Sequence, residues 1–257
     1  MRTFEGRLRR RSGGSHVLAI ILWVALVLFA LVDTAQALLG WSFLAAAAVV
    51  ARLILLGLGL FLVVWNAWVR PAQRAALVSL AIGVAVWMAG AFVIATTTDP
   101  QTPQLPLSPA EWLFVASYLG FAAFLLLDVH GRAESSPVVW LEAVILTGGA
   151  VCLAAVLVLI PAASMIEQVG ISLFIAMLYP VCDVLMLLII AAQVGLRARD
   201  SSWRTLVLVV AFVCFTAADL IYAEKLAAGR YEFPVFLNVL WAAGLVCLMQ
   251  GACLTRR

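Results

Sequence analysis

Apolar residues along this chain do not alternate with polar ones; they run on in blocks. Eight such blocks stand out, at roughly 17–36, 44–68, 73–95, 109–128, 137–160, 170–194, 203–222 and 234–254. Each is about the 20 residues that a helix needs to cross a hydrocarbon core ~30 Å thick. They are too long, and too poor in period-two alternation, for strands of a membrane barrel. Prolines mark the joints: Pro71, Pro109, Pro137 and Pro234 stand at predicted helix starts, where a missing N–H costs nothing. In "LSPAEW" Ser108 precedes proline and Glu111 follows three residues on, which reads as a capping box. The proline-rich stretch 96–109 is the one long connector. The pattern predicts an all-α, polytopic membrane bundle of about eight transmembrane helices, one domain over residues 16–255, behind a basic tail at 1–15.

Composition agrees with that pattern. The chain is 66% hydrophobic and 11% charged, with a mean hydropathy of +1.14, whereas soluble domains carry about 25% charged residues. A soluble chain this short cannot bury so much apolar surface. The net charge of +3 implies no nucleic-acid partner, because the basic residues are divided among short loops with no basic face. The five cysteines all lie inside apolar blocks with no CxxC spacing, and read as small core hydrophobes.

The distribution of charge predicts orientation. Thirteen arginines fall in the terminal segments and alternate loops of one side, and only Lys225 and Arg230 in those of the other. The positive-inside rule therefore predicts both termini in the cytoplasm, as an even number of spans requires. Residues 9–37, with a basic start, an apolar stretch and Ala35–Gln36–Ala37 at the end, also resemble a secretory signal; the length of the stretch favours a retained first span.

Several polar residues interrupt the apolar blocks. "LYPVCDVLML" holds Asp183 and "TAADLIYAEK" holds Asp219. At 1.5 Å per residue, Arg52, Tyr179 and Asn238 lie about 24 Å above the predicted cytoplasmic ends of their helices, Asp219 about 22 Å and Glu111 about 25 Å. Asp183, one turn from Tyr179 on the same face, lies at roughly 18 Å. These residues from five spans thus share one level in the outer third of the bundle. An Asp or Arg at mid-helix costs about 2.5–3.5 kcal/mol on insertion, so pairing Arg52 with Asp183 or Asp219, or protonating one Asp, is the expected arrangement. Two readings stand side by side. The cluster is an interhelical staple, with Glu111 a cap, Asn238 and Trp241 interface anchors, and Tyr222 and Tyr231 belt aromatics. Or the group lines a ligand cavity, with Pro180 giving its helix a place to bend.

Chemistry is predicted to be absent. His16 and His130 both sit near the cytoplasmic surface, so they cannot hold a haem in the bilayer. No metal-ligand spacing, P-loop or GxSxG is present, and no cofactor or catalytic residue is expected. "GLGL" (57–60) and "TGG" (147–149) are weak candidates for broken transporter helices; small residues there more often serve close packing.

With these residues in view, the chain resembles the multi-span membrane regions that precede GGDEF and EAL domains in bacterial cyclic-di-GMP signalling proteins. The resemblance covers roughly residues 44–254. It rests on an ordered series: Arg52 and Trp65, "PLSPAEWLFVASYLGF", "WLEAVIL", "LYPVCDVLMLL", "AADLIYA", then Tyr231 with "NVLWAAG". Glu111, Glu142 and Asn238 depart from it, standing where aspartate is more usual. It implies a sensory or regulatory module of the bacterial inner membrane, which passes a signal to a cytoplasmic domain or protein. The matching residues are Arg52, Tyr118, Asp183, Asp219, Tyr222 and Trp241. The chain ends at "CLTRR" without an output domain, so no cyclase or phosphodiesterase activity is expected of it. The bilayer and a cytoplasmic signalling partner are the expected partners, and a homodimer is compatible with both. The alternative is a proton- or solute-coupled transporter.

Overall fold

The computed structural model describes residues 2–97, 108–129, 145, 149, 171–195, 202–227 and 235–254. These residues form seven long helices: α1 (Arg2–Leu39), α2 (Ser42–Val69), α3 (Arg74–Thr97), α4 (Pro109–Val129), α5 (Ile171–Gly195), α6 (Trp203–Ala227) and α7 (Val235–Cys253). All seven are long and apolar enough to cross a membrane, and no strand occurs among the described residues. The chain is an all-helical, multi-pass membrane protein. The span predicted at 137–160, with Glu142 in it, lies almost wholly outside the described residues, as does Tyr231.

Punctuation by special residues explains most helix boundaries. Gly40, at φ 65°, takes the left-handed conformation that ends α1. Pro71 opens a single 3-10 turn (Pro71–Gln73) that turns the chain from α2 into α3. Pro109 starts α4, as the sequence predicts. Pro180 lies inside α5, which continues through it. No break separates the predicted basic tail from the first span, since α1 begins at Arg2.

The helices form a closed ring in chain order. Each packs against the next, and α7 closes the ring on α1 while also touching α2 and α3. The inward faces carry the core, including Phe29, Leu55, Leu80, Phe121, Phe124, Phe212 and Leu245. Outward faces stay apolar and exposed, with Val24, Phe61, Trp68 and Leu119 among them. In water such faces would be a defect; in lipid they are the solvent-facing surface. On α1 the buried residues Leu22, Leu26, Phe29 and Asp33 make this helix an integral wall of the ring.

Small residues set the closest helix contacts, because lipid tails are as apolar as leucine and close packing is what holds helices together. A Cβ on Gly120 of α4 would lie 2.6 Å from Gly83 Cα and 2.8 Å from the Ser79 carbonyl of α3. Backbone atoms cannot move aside as a side-chain tip can. Gly120→Val is therefore expected to force α3 and α4 apart and to lower stability by about 1–3 kcal/mol, readable as a lower melting temperature in detergent. Within "GLGL", Gly59 lies against Met249 of α7 and α2 runs unbroken, so this glycine serves packing. Cys182, Cys214, Cys247 and Cys253 are free thiols within the helices.

Candidate functional site

The polar residues gather in two storeys. One lies at the end where α3 and α6 finish and α4 and α7 begin; the other lies at the opposite end.

At the first end, the helices enclose a cavity of about 300 Å³, whose lining includes Arg52, Glu111, Tyr118, Tyr179, Asp219, Tyr222, Asn238 and Trp241. Asp183, fully buried at 0% exposure, stands behind this wall and is joined to it through Tyr118. All nine residues singled out from the sequence thus belong to one connected group, drawn from α2, α4, α5, α6 and α7. Helical spacing explains how. Tyr179 and Asp183 are one turn apart on α5, Asp219 and Tyr222 three residues apart on α6, and Asn238 and Trp241 three apart on α7, so each helix presents two groups on one face.

Three carboxylates, in two centres, organise the hydrogen bonds. Tyr118 Oη lies 2.7 Å from Asp183 Oδ1 and 3.2 Å from Asp219 Oδ2. Its single hydrogen serves both acceptors as a bridge between α5 and α6. Trp241 donates its indole N–H to Asp219 Oδ1 at 2.6 Å. The second centre is Glu111, which accepts a hydrogen bond from the Tyr179 hydroxyl and another from the Tyr222 hydroxyl at 3.2 Å. The rings themselves form a continuous series: Tyr118–Tyr179, Tyr179–Tyr222 and Tyr222–Trp241 have centroids 6.5, 6.4 and 5.9 Å apart. Aromatic pairs at such separations add to the packing of a site.

Three expectations need correction. Arg52 does not neutralise Asp183 or Asp219: among the described residues no ion pair joins them. The guanidinium sits over the Phe29 ring, 5.5 Å from its centroid, in a cation–π contact, while Asn238 Nδ2 donates to Asp33 Oδ2 at 3.2 Å. Depth placed Arg52 correctly, but depth carries no information about which sector of the ring a side chain faces. Glu111 is not the return half of a capping box. Ser108 caps α4 through the Ala110 N–H at 3.3 Å, and the Glu111 carboxylate turns inward to the tyrosines. Nor is Tyr222 a lipid-belt aromatic, since it lines the cavity.

Sequence reading missed Asp33, because it lies at the edge of a block whose tail resembles a signal cleavage site. It also missed the aromatic walls Trp87, Phe114 and Phe215, which are indistinguishable from core residues without a fold. The Asn238–Asp33 hydrogen bond leads to a direct expectation. Asn238→Leu should lower the melting temperature, since it takes this donor from the buried Asp33 carboxylate. Asp33→Leu in the same chain should regain most of the loss, because replacing both partners of a buried hydrogen bond by apolar groups is well tolerated.

At the opposite end, Arg204 of α6 makes a two-pronged ion pair with Asp128 of α4 at 2.8 and 2.9 Å. Its Nε donates to the Gly251 carbonyl of α7 at 2.8 Å. Gln193 of α5 donates to the Leu125 carbonyl of α4 at 3.0 Å. This storey ties four helices together at the end where most arginines fall, a clamp that the sequence reading did not anticipate.

No protein-family model, curated protein or solved structure matches this chain.

Proposed function

We propose that this chain is a membrane-embedded sensory module of the bacterial inner membrane. Its cavity receives a small ligand from the outer side, and α5–α7 relay occupancy to a cytoplasmic signalling partner or output domain. In this reading the chain has eight spans with both termini in the cytoplasm. The span at 137–160 supplies the eighth, and the arginine-rich end with the Arg204–Asp128 clamp faces inward. The resemblance of its ordered motifs to the membrane regions of cyclic-di-GMP signalling proteins favours such an output. The single observation that carries the reading is the cavity itself. Eight residues whose polar groups come from five helices converge on one enclosed space, where a staple needs only a pair. A volume of about 300 Å³ falls at the small end of ligand sites.

Relay has a physical route. Asp219, Tyr222, Asn238 and Trp241 contact the cavity from α6 and α7, and the far ends of these same helices carry Arg204 and Gly251 of the clamp. A shift of either helix at the cavity moves a charged, hydrogen-bonded contact at the other end, and this is the route by which occupancy would reach the cytoplasmic side.

Filling the cavity tests this. With a diguanylate cyclase fused after Arg257, Ala91→Trp should change cyclic-di-GMP output by about fivefold or more at unchanged protein level and melting temperature. Output equal to that of the parent fusion would overturn the sensory reading. A second reading, a proton-coupled carrier, draws on two carboxylates from adjacent helices meeting at one hydroxyl, an arrangement suited to proton relay. Solute uptake into liposomes that is unaffected by Asp183→Asn removes it.

A further inference from the structure

The chemical class of the ligand, which rests on the reading of the cavity as a binding site, is narrowed by charge and ring content. Glu111 and Asp219 both stand on the cavity wall. The cation on that wall is Arg52, which sits over the Phe29 ring of α1. An anionic ligand would therefore meet two carboxylates and one guanidinium. A cationic ligand would meet the same two carboxylates with capacity to spare. Each carboxylate offers about four lone-pair positions. The side-chain donors seen are two on Asp219 (Tyr118, Trp241) and two on Glu111 (Tyr179, Tyr222).

The rest of the wall points the same way. Trp87 and Phe114, with centroids 5.3 Å apart, stand with Phe215, Tyr179, Tyr222 and Trp241 around the space. Aromatic walls attract organic cations through the electron-rich ring faces. Their ring faces offer nothing comparable to an anion. Tyrosines that donate their hydroxyl hydrogens to a carboxylate have more electron-rich rings, which strengthens the attraction.

We propose that the cavity takes a small organic cation, an alkylammonium or quaternary ammonium group, seated between the Glu111 and Asp219 carboxylates and enclosed by the aromatic walls. The cavity lies near the ends of α3, α4, α6 and α7, within reach of both water and the headgroup layer. The ammonium therefore arrives either as a free amine or as the headgroup of a lipid.

The test uses the purified full-length chain in maltoside micelles, titrated by calorimetry with tetramethylammonium, butylammonium, butyrate and butanol. At least one of the two cations is expected to saturate the protein below roughly 1 mM, while butyrate and butanol do not. Glu111→Gln should weaken cation binding by about tenfold or more. Trp87→Leu, which removes a wall ring and leaves the Glu111 and Asp219 hydrogen bonds in place, should weaken it by about three- to tenfold. Butyrate binding as tightly as butylammonium, saturation by neither cation, or an affinity unchanged in both variants each overturns the proposal. Repeating the titration in nanodiscs of phosphatidylcholine and of phosphatidylglycerol separates the two sources. Competition confined to phosphatidylcholine supports a lipid headgroup, and equal affinity in both supports a free amine. Failure here is distinguishable from failure of the sensory reading. If Ala91→Trp alters the cyclase output but no cation binds, the ligand class is wrong and the sensor stands. If cations bind but the output ignores the filled cavity, the site stands and the sensor falls.

Discussion

Replacing Arg204 with leucine is expected to cost more stability than any other single change at a polar site in this protein. The guanidinium is 4% exposed and holds both oxygens of Asp128 as well as the Gly251 carbonyl. Arg204→Leu withdraws four hydrogen bonds at once, two of them from the Asp128 carboxylate in the interior. Breaking one side of such a buried pair costs about 3–5 kcal/mol. For a chain of this length each kcal/mol lowers the melting temperature by about 2–4 °C, so a drop of about 10 °C is the expected reading in detergent. Because burying the pair carries a high desolvation cost, Arg204→Leu with Asp128→Leu should recover more than half of the loss. A double variant no more stable than Arg204→Leu alone would show that the Gly251 contact, and not the ion pair, holds this end together. Arg204→Lys should rescue poorly, since an ammonium cannot reproduce the two-pronged geometry.

Tyr118→Phe comes second. Removing this one oxygen takes the hydroxyl donor from Asp183 Oδ1, on a side chain with no exposure, and one of two side-chain donors from Asp219. Among the described residues, Asp183 Oδ2 already has no hydrogen-bond donor, so the loss falls on a group with little else to rely on. Leaving a buried acceptor unsatisfied costs about 1–3 kcal/mol, and more when it is charged. Asp219 keeps Trp241, so the penalty should be traceable to Asp183. Asp183→Leu introduced into the Tyr118→Phe background should raise the melting temperature above that of Tyr118→Phe. A Tyr118→Phe protein as stable as the parent would remove the hydroxyl bridge as a contributor to the site.

The two substitutions act at opposite ends of the bundle. The clamp at Arg204 bears first on stability, and its loss should be felt as unfolding. The bridge at Tyr118 borders the cavity, and its loss should be felt in ligand response as well. Measuring both melting temperature and reporter output for each variant separates the roles.

Legibility from sequence followed the physics of each feature. Blocks of apolar residues, joints at Pro71 and Pro109, and the membrane class were readable because a bilayer imposes one length and one polarity on every span. The level of each polar residue was readable too, since helical rise turns residue counts into depth, and the residues placed at one level do share one connected group. What a count along the chain cannot give is azimuth: which sector of the ring a side chain faces depends on how each helix is rotated against its neighbours. Arg52 therefore had the right depth and the wrong neighbour. It lies over Phe29 of α1 because α1 closes the ring against α2 and α7. Glu111 stands two residues after its proline and is a cap by pattern, yet the packing of α4 among its neighbours turned it to two tyrosines. Composition determined that this chain lives among lipid tails and that its few charges must find company there. Tertiary packing alone decided which charges met, because the choice between one buried neighbour and another is made by helix rotation and close contact at residues such as Gly83 and Gly120.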